Sequence, residues 1–125
     1  MPGKKILVVD DDSVGRQLLQ AILLQAGFTV EFACNGKEAL EMILKSMPDL
    51  ILLDIMMPEL DGFKTLEKIQ NLPKLTHLAP IILVTALDDR DSRSKGLKLG
   101  ACDYISKPFN RNHILRTIEQ VLQEI

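Results

Sequence analysis

Short runs of consecutive apolar residues alternate with longer stretches whose apolar residues recur every three or four positions, and this alternation repeats five times. Ile6-Leu7-Val8-Val9 is the first run, unbroken and rich in β-branched side chains, as a strand covered on both faces requires. Leu18, Leu19, Ile22, Leu23 and Ala26 then fall at helical spacing, with Ser13 placed to cap the helix and Gly27 to end it. Phe28 to Ala33 reads as a second strand, and its polar content puts it nearer a sheet edge. Asn35-Gly36 reads as a turn. The helix after it is marked by Ala39, Leu40, Ile43, Leu44 and Met47 and stops ahead of Pro48.

Leu50-Ile51-Leu52-Leu53 is the most apolar run and is expected at the centre of a sheet. A loop with Pro58 and Gly62 leads to a third helix from Phe63 to Gln70, and a further loop holds Pro73. Ile81-Ile82-Leu83-Val84 is the fourth strand, ending at Thr85. Asp88-Asp89-Arg90-Asp91 opens a fourth helix, its acids suited to the positive end of the helix dipole, and Gly100 ends it. Gly96 inside that helix costs about 1 kcal/mol relative to alanine, so we read it as close packing on the sheet. Asp103 to Ser106 is a short fifth strand. The last helix, Asn110 to Glu124, turns Ile114, Ile118, Val121 and Leu122 inward.

Five such units with apolar strands mean an α/β fold, a parallel sheet with helices on both faces, in one domain over residues 1–125. With 46% hydrophobic and 26% charged residues the chain can bury a real core, which excludes disorder. A net charge of −2 without a Lys/Arg run gives no footprint for nucleic acid. The apolar run after Lys5 is far short of a signal-peptide core or a membrane span, so a cytoplasmic chain is expected. Cys34 and Cys102, set among small and apolar neighbours, read as reduced structural thiols. They do not share metal-ligand spacing with His77 and His113, which disfavours zinc.

Candidate chemistry lies where the apolar runs stop. Asp10, Asp11 and Asp12 follow the first strand, Asp54 the third, Thr85 the fourth and Lys107 the fifth. In an open parallel sheet these carboxyl ends form one rim, the usual place for a ligand. If strands one and three are neighbours, Asp10, Asp11 and Asp54 converge, and three carboxylates cannot all ionise there without a positive partner. A hard divalent cation such as Mg²⁺ answers that need, with Lys107 as a second positive charge. Cation, ammonium and the Thr85 hydroxyl would together surround a tetrahedral anion on one carboxylate, the recurring logic of phosphoryl transfer.

Four segments carry a resemblance: Ile6 to Asp12, Asp54 to Gly62, Thr85-Ala86, and Tyr104-Ile105-Ser106-Lys107-Pro108-Phe109. Together, in order and across essentially the whole chain, they resemble the motif set of response-regulator receiver domains of two-component signalling. The resemblance implies the flavodoxin-like (βα)5 doubly wound fold with strand order 2-1-3-4-5. It implies that Asp54 is the phosphoacceptor, attacking a phosphohistidine or a small acyl phosphate. Mg²⁺ or Mn²⁺ would be held by Asp11 and Asp54 directly, by Asp10 through water, and by the Met56 carbonyl. Thr85 matches the switch hydroxyl, Ala86 the small residue that keeps the site open, and Lys107 the lysine that pairs with the phosphorylated carboxylate, in a cis Lys107–Pro108 bond. Tyr104 matches the aromatic that turns inward on activation and links the site to the surface of helix four, strand five and helix five.

The implied partners are a histidine kinase or a histidine phosphotransfer protein upstream and an unnamed protein downstream. No direct nucleic-acid or membrane partner is expected, and the chain should be a monomer or a weak phosphorylation-dependent homodimer. Met56 and Leu87 have no side chain to orient a hydrolytic water, so self-dephosphorylation is not expected to be fast. A phosphorylation-independent docking module usually lacks an acid, the acceptor or the lysine, and all are present. An aspartate-nucleophile phosphatase needs a second Asp where Met56 stands, so turnover of external substrates is not expected. An FMN site would need hydroxyls and amides where Asp10 to Asp12 lie.

Overall fold

In the computed structural model, which describes residues 3–55, 62–72, 78–86 and 90–123, five strands alternate with five helices. The strands are β1 (Lys5–Val9), β2 (Thr29–Ala33), β3 (Leu50–Leu53), β4 (Ile81–Thr85) and β5 (Asp103–Ser106). The helices are α1 (Ser13–Gln25), α2 (Gly36–Lys45), α3 (Gly62–Gln70), α4 (Arg90–Lys98) and α5 (Arg111–Gln123). All pairings are parallel and the order is β2-β1-β3-β4-β5, the flavodoxin-like arrangement. The Met56 and Leu87 calls, the Pro58 and Pro73 loops, His77, Asp88, Asp89 and Glu124 lie outside the described residues.

Successive strand side chains point to opposite faces, so each apolar run feeds two cores. Ile6, Val8, Leu50, Leu52, Ile82, Val84 and Ile105 pack with Leu19, Ile22 and Leu23 of α1 and Ile114, Ile118, Val121 and Leu122 of α5. Leu7, Val9, Ile51, Leu53, Ile81 and Leu83 pack on the other face with Ala39 and Ile43 of α2 and Leu66 and Ile69 of α3. This is why the runs are continuous rather than alternating. Helix α4 contributes little to either core, since Gly96 is its one buried residue. Among the described residues no helix is long and apolar enough to cross a membrane.

Helix starts differ from expectation in small ways, α3 beginning at Gly62 rather than Phe63 and α5 at Arg111 rather than Asn110. The cap of α1 is Asp12, whose Oδ1 accepts from the Val14 N–H at 3.1 Å, while Ser13 is already helical. Both residue types cap well, and the extended backbone at Asp12 (φ −85°, ψ 110°) settles the position. Asn35-Gly36 is not a free turn, because Asn35 Oδ1 accepts from the Glu38 N–H at 2.8 Å and Gly36 begins α2. Gly27 and Gly100 end α1 and α4 as expected, with φ of +94° and +110° that side chains resist. Leu18 (51% exposed) and Leu44 (67%), counted with the apolar repeats, flank the buried stripes instead of joining them. Both cysteines are exposed, and Cys34 follows β2 whereas Cys102 precedes β5, strands at opposite edges of the sheet, which sets them apart from a shared metal site.

Candidate functional site

The register of the sheet assembles the rim. Val9 of β1 pairs with Leu53 of β3, so Asp10 and Asp54 leave adjacent strands at the same level. The Asp54 N–H donates to the Val9 carbonyl at 3.0 Å and the Asp10 N–H to the Ala33 carbonyl at 3.1 Å, which holds both residues to the sheet. Asp10 is 2% exposed and Asp54 6%, and Asp11 beside them faces solvent. One carboxylate oxygen from each of the three lies within 4.8 Å of the others. Asp10 also anchors the turn into α1, its Oδ1 accepting from the Asp12 N–H at 2.9 Å.

Lys107 reaches this cluster from the far side of β4. Thr85 pairs with Ser106, and the Lys107 N–H donates to the Thr85 carbonyl at 2.8 Å, so the lysine begins its reach from a fixed point. Its Nζ donates to Asp10 Oδ2 and to Asp54 Oδ2, both at 3.0 Å. Sequence reasoning offered Lys107 as a positive charge for the rim acids and, by resemblance, as the partner of the phosphorylated carboxylate, without naming a bond to Asp10. The bridge to Asp10 depends on how the side chain crosses the rim, which no spacing rule reveals. The Lys107–Pro108 peptide is cis.

Burial lowers the affinity of Lys107 for its proton, but the hydrogen bonds to Asp10 and Asp54 and their negative charges outweigh it. Its pKa therefore stands above the ordinary 10.5. With a raised pKa, the stability this bridge contributes is fully present below 10.5 and is lost as pH climbs through the higher folded value. Without divalent cation, Lys107→Met should lose about 1–2 kcal/mol, equally at about pH 7 and about pH 9. The gap should close only above 10.5. Urea titrations of both proteins at these pH values check it, and a gap that closes below pH 9 would contradict the bridge.

The donor set fits a hard cation. Two nearly buried carboxylates and a third beside them face one ammonium, which leaves negative charge uncompensated in a partly dry site. Asp10, Asp11 and Asp54, all oxygen donors, are the described residues that could hold it. Thr85 is wholly buried at the end of β4, and Ala86 after it is exposed. Tyr104 is turned inward, 5% exposed, and the Arg93 guanidinium of α4 lies 5.1 Å from its ring centroid.

Gly62 was legible only as a turn residue. A Cβ there would fall 2.1 Å from Ile55 Cα and 2.7 Å from the Asp54 carbonyl oxygen, so the start of α3 rests on the backbone that carries Asp54. The Gly62 N–H donates to the Ile55 carbonyl at 3.1 Å, which fixes the same contact.

Residues 6–119 match the family model of the response regulator receiver domain. Response regulator MprA of Mycobacterium ulcerans is 44% identical over 119 residues, which are 95% of this chain and 50% of that protein. The chain spans about half the length of several curated relatives it matches. A response regulator receiver domain protein (CheY-like) from Methanospirillum hungatei superposes with a TM-score of 0.89 at 34% identity, covering 98% of this chain and 95% of that one. The BeF3-activated N-terminal receiver domain of Klebsiella pneumoniae RstA superposes with a TM-score of 0.87 at 33% identity, covering 94% and 97%.

Proposed function

The chain belongs to the response regulator receiver domain family, and from that premise we propose that it is a phosphoacceptor switch whose acceptor is Asp54. Receiver domains are signalling domains rather than classical enzymes, and the reaction assigned here is self-phosphorylation. The observation that carries the reading is the convergence of Asp10, Asp11, Asp54 and the Lys107 ammonium at one rim. A docking module would have no use for that concentration of charge.

In this reading an Asp54 carboxylate oxygen bonds the phosphorus of a phosphohistidine on a histidine kinase or histidine phosphotransfer protein while the phosphorus–nitrogen bond breaks and its electron pair leaves on the imidazole nitrogen. Lys107, already bonded to Asp54 Oδ2, stays with the modified carboxylate and offsets its new charge. Mg²⁺, held by Asp10, Asp11 and Asp54, would supply the further positive charge that the phosphoryl oxygens need. Thr85 donates its hydroxyl to a phosphoryl oxygen, and the Tyr104 ring carries the change to the surface of α4, β5 and α5. A downstream protein reads that surface. The RstA domain was crystallised in a BeF3-activated state, and its likeness in fold supports the same kind of switching here.

The test is intact-mass spectrometry after incubation with acetyl phosphate, with and without Mg²⁺, followed by borohydride reduction and peptide mapping. One phosphoryl adduct that requires Mg²⁺ and maps to Asp54 is expected. A folded protein that gains no adduct under either condition overturns the reading.

A further inference from the structure

Residues three apart lie on one face of a helix, and in α4 that face carries Arg93 and Gly96. Gly96 rests on Leu83 of β4, where an added Cβ would meet Leu83 Cδ1 at 2.3 Å. Leu83 pairs with Tyr104 of β5, so the tyrosine lies beside the seat of the helix. The Arg93 guanidinium covers the ring from α4, its Cζ 5.1 Å from the centroid, and its Nη2 reaches Ser106 Oγ at 3.5 Å. Tyr104 and Ser106, two residues apart in a strand, project to the same face of the sheet. Arg93 therefore spans both. It is itself exposed, while the ring beneath it is 5% exposed.

We propose that Arg93 is a positioning residue that holds the Tyr104 ring inward from α4, whatever the state of Asp54. The inference rests on the reading above, in which the inward ring carries the change at the rim to the surface of α4, β5 and α5. A ring able to turn between an inward and a solvent-facing position divides between them by their difference in free energy. A guanidinium over an aromatic face is attracted by the ring quadrupole, and its flat, delocalised charge stacks there at little cost in hydration. The Ser106 hydroxyl keeps the guanidinium over the inward position, so the attraction falls on that side of the balance. It shifts the balance by about two- to fivefold. The unmodified chain then already populates part of the surface that a partner reads, and phosphorylation has less left to shift.

The chain has one tyrosine and no tryptophan, so the tyrosine fluorescence of the whole protein comes from Tyr104. Acrylamide quenching therefore reads the exposure of that ring alone. Arg93→Met keeps bulk over the ring and removes the charge, and the position is exposed, so folding is not at stake. The variant should raise the quenching constant at least about twofold. Beryllofluoride with Mg²⁺, standing in for a phosphoryl group on Asp54, should return it to within about 1.5-fold of the unaltered protein, because the occupied rim then favours the inward ring by itself. An arginine that merely shielded the ring would give no such return. An unchanged constant in Arg93→Met overturns the proposal, and so does a raised one that bound beryllofluoride does not lower. Fluorine NMR shows whether beryllofluoride is bound. If the unaltered protein binds none, the phosphoacceptor reading fails instead, and quenching without beryllofluoride still decides the role of Arg93.

Discussion

Asp54→Asn is expected to abolish the phosphoryl adduct and still give a folded protein. The amide is nearly the same shape as the carboxylate but offers no anionic oxygen to attack phosphorus, so the loss should be complete rather than partial. Folding should survive because the substitution takes one charge out of a group of three carboxylates within 4.8 Å. Lys107 keeps its bond to Asp10 at 3.0 Å. Lost pairing with Lys107 and relieved repulsion oppose each other, so the metal-free variant should stay within about 1 kcal/mol of the unaltered protein. Affinity for a divalent cation should fall, since an oxygen donor with full charge is gone. Intact mass after acetyl phosphate treatment and a urea titration measure both outcomes. An adduct of undiminished yield would move the acceptor to another rim residue, and Asp10 and Asp11 would be mapped next.

Gly62→Ala should be a severely damaging change for a single methyl group. The new Cβ would meet Ile55 Cα at 2.1 Å and the Asp54 carbonyl oxygen at 2.7 Å, and backbone has no rotamer to yield. Either α3 lifts from the sheet or the end of β3 shifts, at a cost of at least about 3 kcal/mol. Gly96→Ala is the fitting comparison. Its Cβ would crowd Leu83 Cδ1 at 2.3 Å, with Leu83 Cγ at 3.7 Å and Phe63 Cε1 at 3.8 Å in ordinary contact, and a side chain can yield where backbone cannot. Alanine also regains about 1 kcal/mol of helix propensity there, so the net loss should be clearly smaller. Urea midpoints of the two variants give the comparison. Because the shift at Gly62→Ala starts at Asp54, the proposed acceptor, that variant should also be phosphorylated more slowly when Mg²⁺ is saturating. Equal midpoints for the two variants would show that the approach to Ile55 is looser than described.

The elements were legible because a strand buried on both faces must be apolar throughout, and Leu50 to Leu53 and Ile81 to Val84 can be little else. The rim was legible for a related reason: Asp10, Asp54, Thr85 and Lys107 are where those runs give way to polar side chains. Strand order came from resemblance to a family, since nothing in the run lengths says that β1 lies between β2 and β3. The misplaced cap at Ser13 reflects two neighbouring residues that both cap well, a choice made by backbone angles. The exposure of Cys34 and Cys102, and of Leu18 and Leu44, turns on where each helix and strand ends against its neighbours. Gly62 hid because a glycine after an aspartate looks like a turn whether or not another segment rests on it. The Arg93 contact with Tyr104 joins α4 to β5 and leaves no local trace.

A helix that gives the core one glycine is inexpensive to move. Every other helix buries at least one large apolar side chain against the sheet, such as Ile43 of α2 and Leu66 of α3, whereas α4 is held at Gly96 and by the contacts of Arg93 on Tyr104 and Lys95 on the Phe63 ring. Alternative placements of α4 should therefore lie only a little above the one described, and populations, rather than a single pose, set what a partner meets. A ligand that prefers one placement by about 1.4 kcal/mol changes the ratio tenfold. Register and burial hold the rim in place, whereas little holds the helix beside it.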